Sequence, residues 1–318
     1  MYTKKRKKRK PRVGRMILLI ILLGIIAHNS RYAFIQYIHS LKIDILQITA
    51  KTGESGREKY DYVERPQSYI HIGELILVNN SVSYEFPKKS DIVSVYNKKN
   101  RSYKVSDMDI ALNANVIPNF NEMMSDFEKA KKIHDITIVS GYRTIADQGR
   151  VLDEKIKQLG ETEAAKWAAN PGYSEHHTGY AIDIGIYKDN GQSQSYTGYG
   201  KYSWINENCG NYGFINRYNG DKVEITGFTN EPWHYRFVGK PHANIIKNNG
   251  FCLEEYIDYL KSYSFESKHL YFTDSDGTQY EIYYVKASSD KTNIPISRNS
   301  EYSISGNNVD GFIVTVKK

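Results

Sequence analysis

Cysteine, proline and long hydrophobic runs are all scarce in this 318-residue sequence, and each scarcity excludes a class of protein. Two cysteines, Cys209 and Cys252, are too few for a disulfide-rich scaffold or a four-cysteine zinc site. Eight prolines and 23 glycines exclude a collagen-like chain. The longest apolar run, at residues 16–27, is too short and too isolated for a multi-span membrane protein. Any bound metal must therefore be held by histidine and carboxylate side chains.

Positive charge is also scarce once the first 15 residues are set aside. Of the 43 lysines and arginines, nine lie in this basic segment, which leaves 34 basic residues against 36 acidic ones in the rest of the chain. A basic run alone would suggest a nucleic-acid-binding tail. The acidic balance of the remainder, together with the apolar run that follows, argues against nucleic acid as a partner.

The basic segment and the apolar run together predict a membrane anchor. The run begins at Met16 and continues as a helix to Ile38, with aromatic residues near its far end. A cleaved signal peptide is the alternative, but no small-residue cleavage site follows Ile26. By the positive-inside rule, residues 1–15 stay in the cytoplasm and residues from about 40 onward lie outside.

Beyond the anchor, the pattern predicts a polar stalk at 39–68, a mixed α+β domain at 69–262 and a small, separate β module at 263–318. Apolar residues recur at helical spacing after Pro118 and from Ile145 to Leu159. A short strand is predicted at Leu75–Val78 and a buried one at Ile136–Val139. The β module contains four β-rich runs separated by turn residues. The two cysteines are compatible either with an extracytoplasmic disulfide or with two small buried side chains.

Two short motifs contain the residues that suggest chemistry. His176 and Asp183 lie in SEHHTGYAID (174–183), and Glu231 and His234 lie in EPWH (231–234). Two imidazoles and one carboxylate leave a fourth position open, which is typical of a catalytic zinc site rather than a structural one. Asp183 interrupts an apolar strand, where a carboxylate is costly to bury unless it meets a cation or a metal.

Glu231 has the position of a general acid–base group. It stands three residues before a candidate ligand, from where it can move a proton between an attacking water and a leaving amine. Pro232 disfavours the α conformation at Glu231, so the pair is expected at a strand end or turn and not on a helix. Taken singly, each of these residues has an ordinary explanation in packing, capping or loop hydrogen bonding. Their joint order and spacing favour a metal site.

The joint pattern Ser174-x-His176-x-x-Gly179-x-Ala181-x-Asp183, followed by Glu231-x-Trp233-His234, resembles the zinc D-alanyl-D-alanine peptidases of the VanY, VanX and VanXY type. The residues 140–144 (SGYRT), with Gln148 shortly after them, are similar to the substrate-side motif of that family. The stretch 171–177 is more similar to the VanY carboxypeptidases than to the VanX dipeptidases. The resemblance covers residues 70–262 and implies the fold shared with lysostaphin-type peptidases and the hedgehog signalling domain, an antiparallel sheet with flanking helices.

The resemblance also implies a role for each matching residue. His176, Asp183 and His234 bind one Zn²⁺ per chain, and Glu231 is the general base and acid. Arg143 stabilises the oxyanion that develops on the scissile carbonyl. Gln148 and Ser174 help to bind the terminal D-Ala carboxylate of the substrate.

The resulting expectation is a membrane-anchored, extracytoplasmic zinc D,D-carboxypeptidase that trims the terminal D-Ala from peptidoglycan stem peptides or precursors. A D-Ala-D-Ala dipeptidase and an endolysin-like cell-wall endopeptidase share these motifs and remain alternatives. A non-catalytic zinc-binding cell-wall module is the alternative from a different class, against which Glu231 and Arg143 argue. The sequence leaves open a role in antibiotic resistance or in routine wall maturation.

Overall fold

The computed structural model describes residues 60–87, 91–188 and 191–318 of the chain. The predicted basic segment, the anchor at 16–38 and the stalk up to residue 59 lie outside these residues. Among the helices of the described ranges, none combines the length and the apolar character needed to cross a membrane.

Most of the described helices and strands lie between residues 92 and 261. The helices are α1 (Val116–Lys131), α2 (Ile145–Leu159), α3 (Glu161–Ala164), α4 (Ser203–Asn208), α5 (Val223–Thr226), α6 (Lys240–Asn249) and α7 (Leu253–Lys261). The strands are β1 (Tyr60–Pro66), β2 (Ile92–Ser94), β3 (Lys104–Val105), β4 (Ala111–Asn113), β5 (Ile136–Ser140), β6 (Ala181–Tyr187), β7 (Ser193–Ser195), β8 (Phe214–Tyr218), β9 (Glu231–Phe237), β10 (Leu270–Thr273), β11 (Gln279–Lys286), β12 (Lys291–Ser297), β13 (Tyr302–Gly306) and β14 (Gly311–Lys317). The mixed α+β fold expected from the sequence is confirmed.

The main sheet has the strand order β3-β5-β6-β9-β8, and β7 pairs with the far end of β6. Its pairs are antiparallel except for β3 with β5. The central position of β6 explains its sequence, because a strand with neighbours on both sides and packing on its faces is apolar almost throughout. All of β6 from Ala181 to Ile186 is buried. A polar side chain on β6 therefore lies in the interior of the protein.

Helix α1 covers one face of this sheet and forms the core with it. Its buried side chains, including Phe120, Met124 and Phe127, pack in one cluster with Ile138 and Ile182 of the sheet. Each such side chain contributes about 1.5–3 kcal/mol when fully buried. The helix begins at Val116, two residues before the predicted start, because proline is tolerated anywhere in the first turn, where the N–H groups lack partners within the helix.

Helix α2 has the predicted bounds, and local sequence explains both ends. Thr144 accepts a hydrogen bond from the backbone of Asp147, whose carboxylate bonds back to Thr144, and together they form a capping box. Gly160 follows the last residue, with a φ of 79° that favours glycine. The start of α2 is thereby fixed directly after Arg143.

The strand predicted at Leu75–Val78 is absent from the structure, although its four residues are buried. Its backbone groups bond to other partners instead of to a neighbouring strand. Leu77 N donates to Asn307 O, and Ile76 O accepts from the guanidinium of Arg236. Apolar character predicted burial correctly here, but it did not identify the hydrogen-bond partners that decide between strand and loop.

The C-terminal residues form a sheet of their own with the order β10-β11-β14-β13. This sheet is tied to the rest of the chain: the Asn308 side chain donates to Leu77 O, and His242 Nε2 contacts Thr315 Oγ1. Strand β1, at the end of the predicted stalk, pairs along its whole length with β12. Residues 60–66 are therefore a strand and not a polar spacer, which the sequence did not predict because the partner lies more than 200 residues away. Cys209 and Cys252 are both free and buried.

A candidate metal centre and its cavity

Three side chains converge where β6 and β9 meet a short 3-10 turn. The β6–β9 register places Asp183 directly opposite His234, and His176 lies in the turn Glu175–Thr178 that precedes β6. One ligand atom from each of the three lies within 4.8 Å of the other two. All three side chains are buried. The two sequence motifs thus form one site because adjacent antiparallel strands bring them together.

Gly179 allows the turn to lead into β6. It has a φ of +72°, and a Cβ at this position would lie 2.3 Å from Ile92 Cδ1 and 3.0 Å from Asn113 N. Both the backbone conformation and the crowding require glycine. The glycine of the motif therefore lets the turn that contains His176 end directly before β6.

Hydrogen bonds on their outer nitrogens orient the two imidazoles. His176 Nδ1 lies 2.6 Å from Gly141 O, and His234 Nε2 lies 3.3 Å from Glu175 Oε2. The other nitrogens face Asp183: His176 Nε2 at 3.2 Å from Oδ2 and His234 Nδ1 at 2.9 Å from Oδ1. Metal-binding histidines usually donate their second N–H in this way, which leaves the inner lone pair for the ion. Two imidazoles and a carboxylate so arranged fit a catalytic zinc site.

Glu175, whose role was not predicted from the sequence, contacts the outer nitrogen of His234 and helps to orient its imidazole. Its Oε1 accepts from Arg217 Nε at 2.8 Å and from Arg236 Nη1 at 2.9 Å, and its Oε2 faces His234. The side chains of Glu175 and both arginines are fully buried. Burial alone would raise the pKa of Glu175, but the charges of Arg217 and Arg236 outweigh it and hold that pKa well below its usual range. Glu175 is therefore an ionised carboxylate beside His234 Nε2, where it favours the tautomer that is protonated at this nitrogen.

We expect Arg217→Met to lower the free energy of unfolding by about 3–5 kcal/mol, because it leaves buried carboxylates short of a partner. Arg217 also forms a two-pronged ion pair with Glu254, at 2.9 and 2.7 Å. Urea unfolding followed by circular dichroism measures the change. The control is Arg150→Met, since Arg150 forms an exposed ion pair with Asp147. Equal losses of unfolding free energy in the two variants would contradict the larger contribution to stability expected of the buried ion pairs.

Arg143 reaches the metal centre from the loop between β5 and α2. Its Nη2 lies 2.7 Å from Asp183 Oδ2 and 3.0 Å from His176 Nε2. Its Nε donates to Ser140 Oγ at 2.9 Å, and its Nη1 donates to Gln148 Oε1 at 3.0 Å. Ser140 and Gln148 therefore hold the guanidinium through Nε and Nη1, and Nη2 is the nitrogen that points at the centre.

Gln148 and Ser174, which are expected to bind the substrate, both line the cavity. They differ in how many hydrogen bonds they already form within the protein. Both ends of the Gln148 amide have partners, since Nε2 donates to Ala169 O at 2.9 Å while Oε1 accepts from Arg143. These bonds position Arg143 and the start of α2. Ser174 Oγ accepts a weak bond of 3.4 Å from His176 N, so its hydroxyl hydrogen is available.

Glu231 lies beside the three candidate ligands but outside their group. It is the first residue of β9, as Pro232 predicted, and its Oε2 is 4.0 Å from His234 Nδ1. Burial raises the pKa of Glu231 to about 7, while the charge of His234 opposes the shift. A carboxyl group with a pKa near neutrality both accepts and releases protons readily.

These groups open into a cavity of about 250 Å³. All seven residues expected from the sequence line it, together with Glu175 and aromatic side chains that include Trp167, Tyr218 and Trp233. Trp167 and Trp233 stack in parallel, with ring centroids 6.3 Å apart. The cavity therefore combines an apolar wall with a small number of converging polar groups, which is the usual form of a small-ligand site.

Comparison with known proteins agrees with the family resemblance that the two motifs indicate. Residues 109–240 match the family model described as VanY, D-alanyl-D-alanine carboxypeptidase. The chain is 37% identical over 268 residues to a D-alanyl-D-alanine carboxypeptidase of Enterococcus faecium, which covers 83% of this chain and 80% of that protein. It is 37% identical over 158 residues to the bifunctional D-Ala-D-Ala dipeptidase and carboxypeptidase VanXYC of Enterococcus gallinarum, over 49% of this chain and 82% of that one.

A solved structure shows the same architecture. The crystal structure of the vancomycin resistance D,D-dipeptidase VanXYg, in complex with a D-Ala-D-Ala phosphinate analogue, has a TM-score of 0.72 and 34% sequence identity. The match covers 81% of this chain and 99% of that one. The resemblance inferred from the two motifs is confirmed, and the chain belongs to the VanY family of D-alanyl-D-alanine carboxypeptidases.

Proposed function

We propose that this chain is a zinc-dependent D,D-carboxypeptidase that removes the terminal D-Ala from peptidoglycan stem peptides or their precursors. The observation that supports it most directly is the geometry of His176, Asp183 and His234, with Glu231 close to the group but outside it. A binding module would need the three ligands alone. A hydrolase also needs a proton-transfer group beside them.

The chain's own residues account for the steps of peptide hydrolysis. Bound zinc would supply a Lewis acid at the scissile carbonyl. Glu231 accepts a proton from the attacking water and delivers it to the nitrogen of the departing D-Ala. Arg143 donates hydrogen bonds to the oxyanion that forms on the carbonyl oxygen, from a position already fixed by Ser140 and Gln148.

The experiment is to incubate the zinc-loaded chain with a pentapeptide stem ending in D-Ala-D-Ala and to identify the products by mass spectrometry. Release of a single alanine and a tetrapeptide is expected. Cleavage within the stem would indicate an endopeptidase, and tight binding without any product would favour the non-catalytic module.

Dipeptidase activity is a second candidate, because both VanXYC and VanXYg are described as acting on D-Ala-D-Ala as dipeptidases. Free D-Ala-D-Ala added to the same assay distinguishes the two. Faster turnover of the pentapeptide than of the dipeptide supports the carboxypeptidase.

We also propose that residues 16–38 anchor the enzyme in the membrane, with residues 1–15 in the cytoplasm and the catalytic residues outside. The basic run before an apolar one supports this topology. External protease applied to intact cells should then remove a C-terminal tag while an N-terminal tag stays protected. A secreted form that lacks the first 30 residues would contradict the anchor and indicate signal cleavage.

A further inference from the structure

Lys155 is a cation of the cavity that the proposed steps do not use. Helix α2 presents Gln148, Val151 and Lys155 to the cavity at spacings of three and four residues, which places them on one helical face. Among the described residues that line the cavity, Arg143 and Lys155 are the two with a permanent positive charge. Arg143 is already engaged by Asp183, Gln148 and Ser140.

The surroundings of Lys155 hold its ammonium group in place without neutralising it. Its Nζ lies 5.9 Å from the ring centroid of Trp167, within the range of a cation–π contact. Trp167 is itself fixed by stacking on Trp233. Within the described part of the chain, Lys155 forms no ion pair with a carboxylate, whereas Lys166, in the turn after α3, pairs with Glu163. The half-buried charge of Lys155 is therefore available to a ligand.

The proposed reaction places the C-terminal carboxylate of the substrate close to Glu231. A cation is needed there to offset the repulsion between the two negative charges. Glu231 protonates the leaving amine, and one carbon atom separates that amine from the free carboxylate of a C-terminal residue. This carboxylate would enter a region that already contains the carboxylates of Glu231 and Asp183, and like charges disfavour its binding unless a cation compensates. Lys155 and Glu231 line the same cavity, so the positive charge of Lys155 is available in this region.

We propose that Lys155, which lines the same cavity as Gln148 and Ser174, supplies the positive charge that binds the free C-terminal carboxylate of the peptide substrate and thereby selects chain ends over internal bonds. The proposal rests on the proposed carboxypeptidase function and names its specificity-determining residue. The aromatic wall of Trp167 and Trp233 orients the ammonium group, and the short distance between carboxylate and leaving amine aligns the scissile bond with Glu231.

The test uses the full zinc-loaded chain and two peptides, diacetyl-L-Lys-D-Ala-D-Ala and its C-terminal amide. The acetyl groups leave the C-terminal carboxylate as the one anionic group of the first peptide, and the amide removes it. The parent should prefer the free acid. In Lys155→Met, the ratio of kcat/KM for the acid to kcat/KM for the amide should fall by about 10- to 100-fold, which corresponds to one charge-assisted hydrogen bond.

Two further variants separate recognition of the carboxylate from a structural effect. Lys155→Arg keeps the cation and should keep most of the preference for the acid. Lys157→Met removes an exposed lysine of the same helix and should keep the parent's ratio. If Lys155→Met does not fold, the same ratio is measured in Lys155→Gln and Lys155→Arg.

The outcomes distinguish this inference from the function on which it rests. A parent that hydrolyses neither peptide contradicts the proposed function itself. A parent that hydrolyses both peptides equally, or a Lys155→Met variant that keeps the parent's ratio, overturns the role of Lys155 alone. A loss seen with acidic stem peptides but not with the diacetylated one would also overturn it, because Lys155 would then contact the acyl side of the substrate.

Discussion

Glu231→Gln should retain its zinc and lose turnover of D-Ala-D-Ala peptides by at least about 10²–10⁴-fold, the usual contribution of general acid–base catalysis. The reason is geometric: Glu231 lies 4.0 Å from His234 Nδ1, outside the group of three candidate ligands, so its replacement removes the proposed proton carrier and leaves that group complete. Zinc content and initial rate are measured on the same preparation.

The control for this variant is Glu224→Gln, an exposed glutamate of α5 outside the cavity, which should keep the parent rate. A Glu231→Gln chain that carries full zinc and releases D-Ala at near the parent rate would contradict the mechanism. A variant that lost its zinc would instead assign Glu231 to the metal ligands.

His176→Ala, Asp183→Ala and His234→Ala should each reduce zinc content and abolish detectable turnover. Each variant removes one of the three proposed protein ligands from a site whose fourth position must stay open for chemistry. Elemental analysis after dialysis against a weak chelator measures the loss. His134→Ala, at an exposed histidine, should keep its zinc. Full occupancy in all three ligand variants would show that the metal is bound elsewhere.

The two motifs that meet at the cavity could be recognised from sequence, for a physical reason. Asp183 is a carboxylate in an otherwise apolar strand, and such a group is buried only with a partner. His234 belongs to another strand 51 positions later, and the antiparallel register brings the two side chains to 2.9 Å. The two motifs can be recognised together in the sequence because the site exists only when both of them are present.

The ion cluster beneath the site was not predictable in the same way. Arg217 and Arg236 lie in strands, where a charged residue is usually taken to face solvent. Their partner Glu175 is 42 and 61 positions away in the chain. The one available signal was the position of Glu175 directly before His176, which is too general to predict a contact with His234.

Long-range pairing also limited what the sequence could show about the fold. Helices α1 and α2 are defined by local periodicity and capping. The predicted start of α1 is correct to within two residues, and both predicted ends of α2 are correct. Strand β1 depends on β12, and the loop at Leu75–Val78 depends on Arg236, Asn307 and Asn308. In these cases the hydrogen-bond partners lie far away in sequence, so local pattern could not identify them.

The central claim is that one zinc ion bound by His176, Asp183 and His234 makes this chain a D,D-carboxypeptidase. Its most direct test is to strip the purified chain with a chelator and to titrate zinc back while following D-Ala release from a pentapeptide stem. The account predicts no release from the stripped chain, a linear recovery of rate with added zinc and a break at one equivalent per chain. Undiminished release without metal, or no release from the stem at any zinc level, would contradict it.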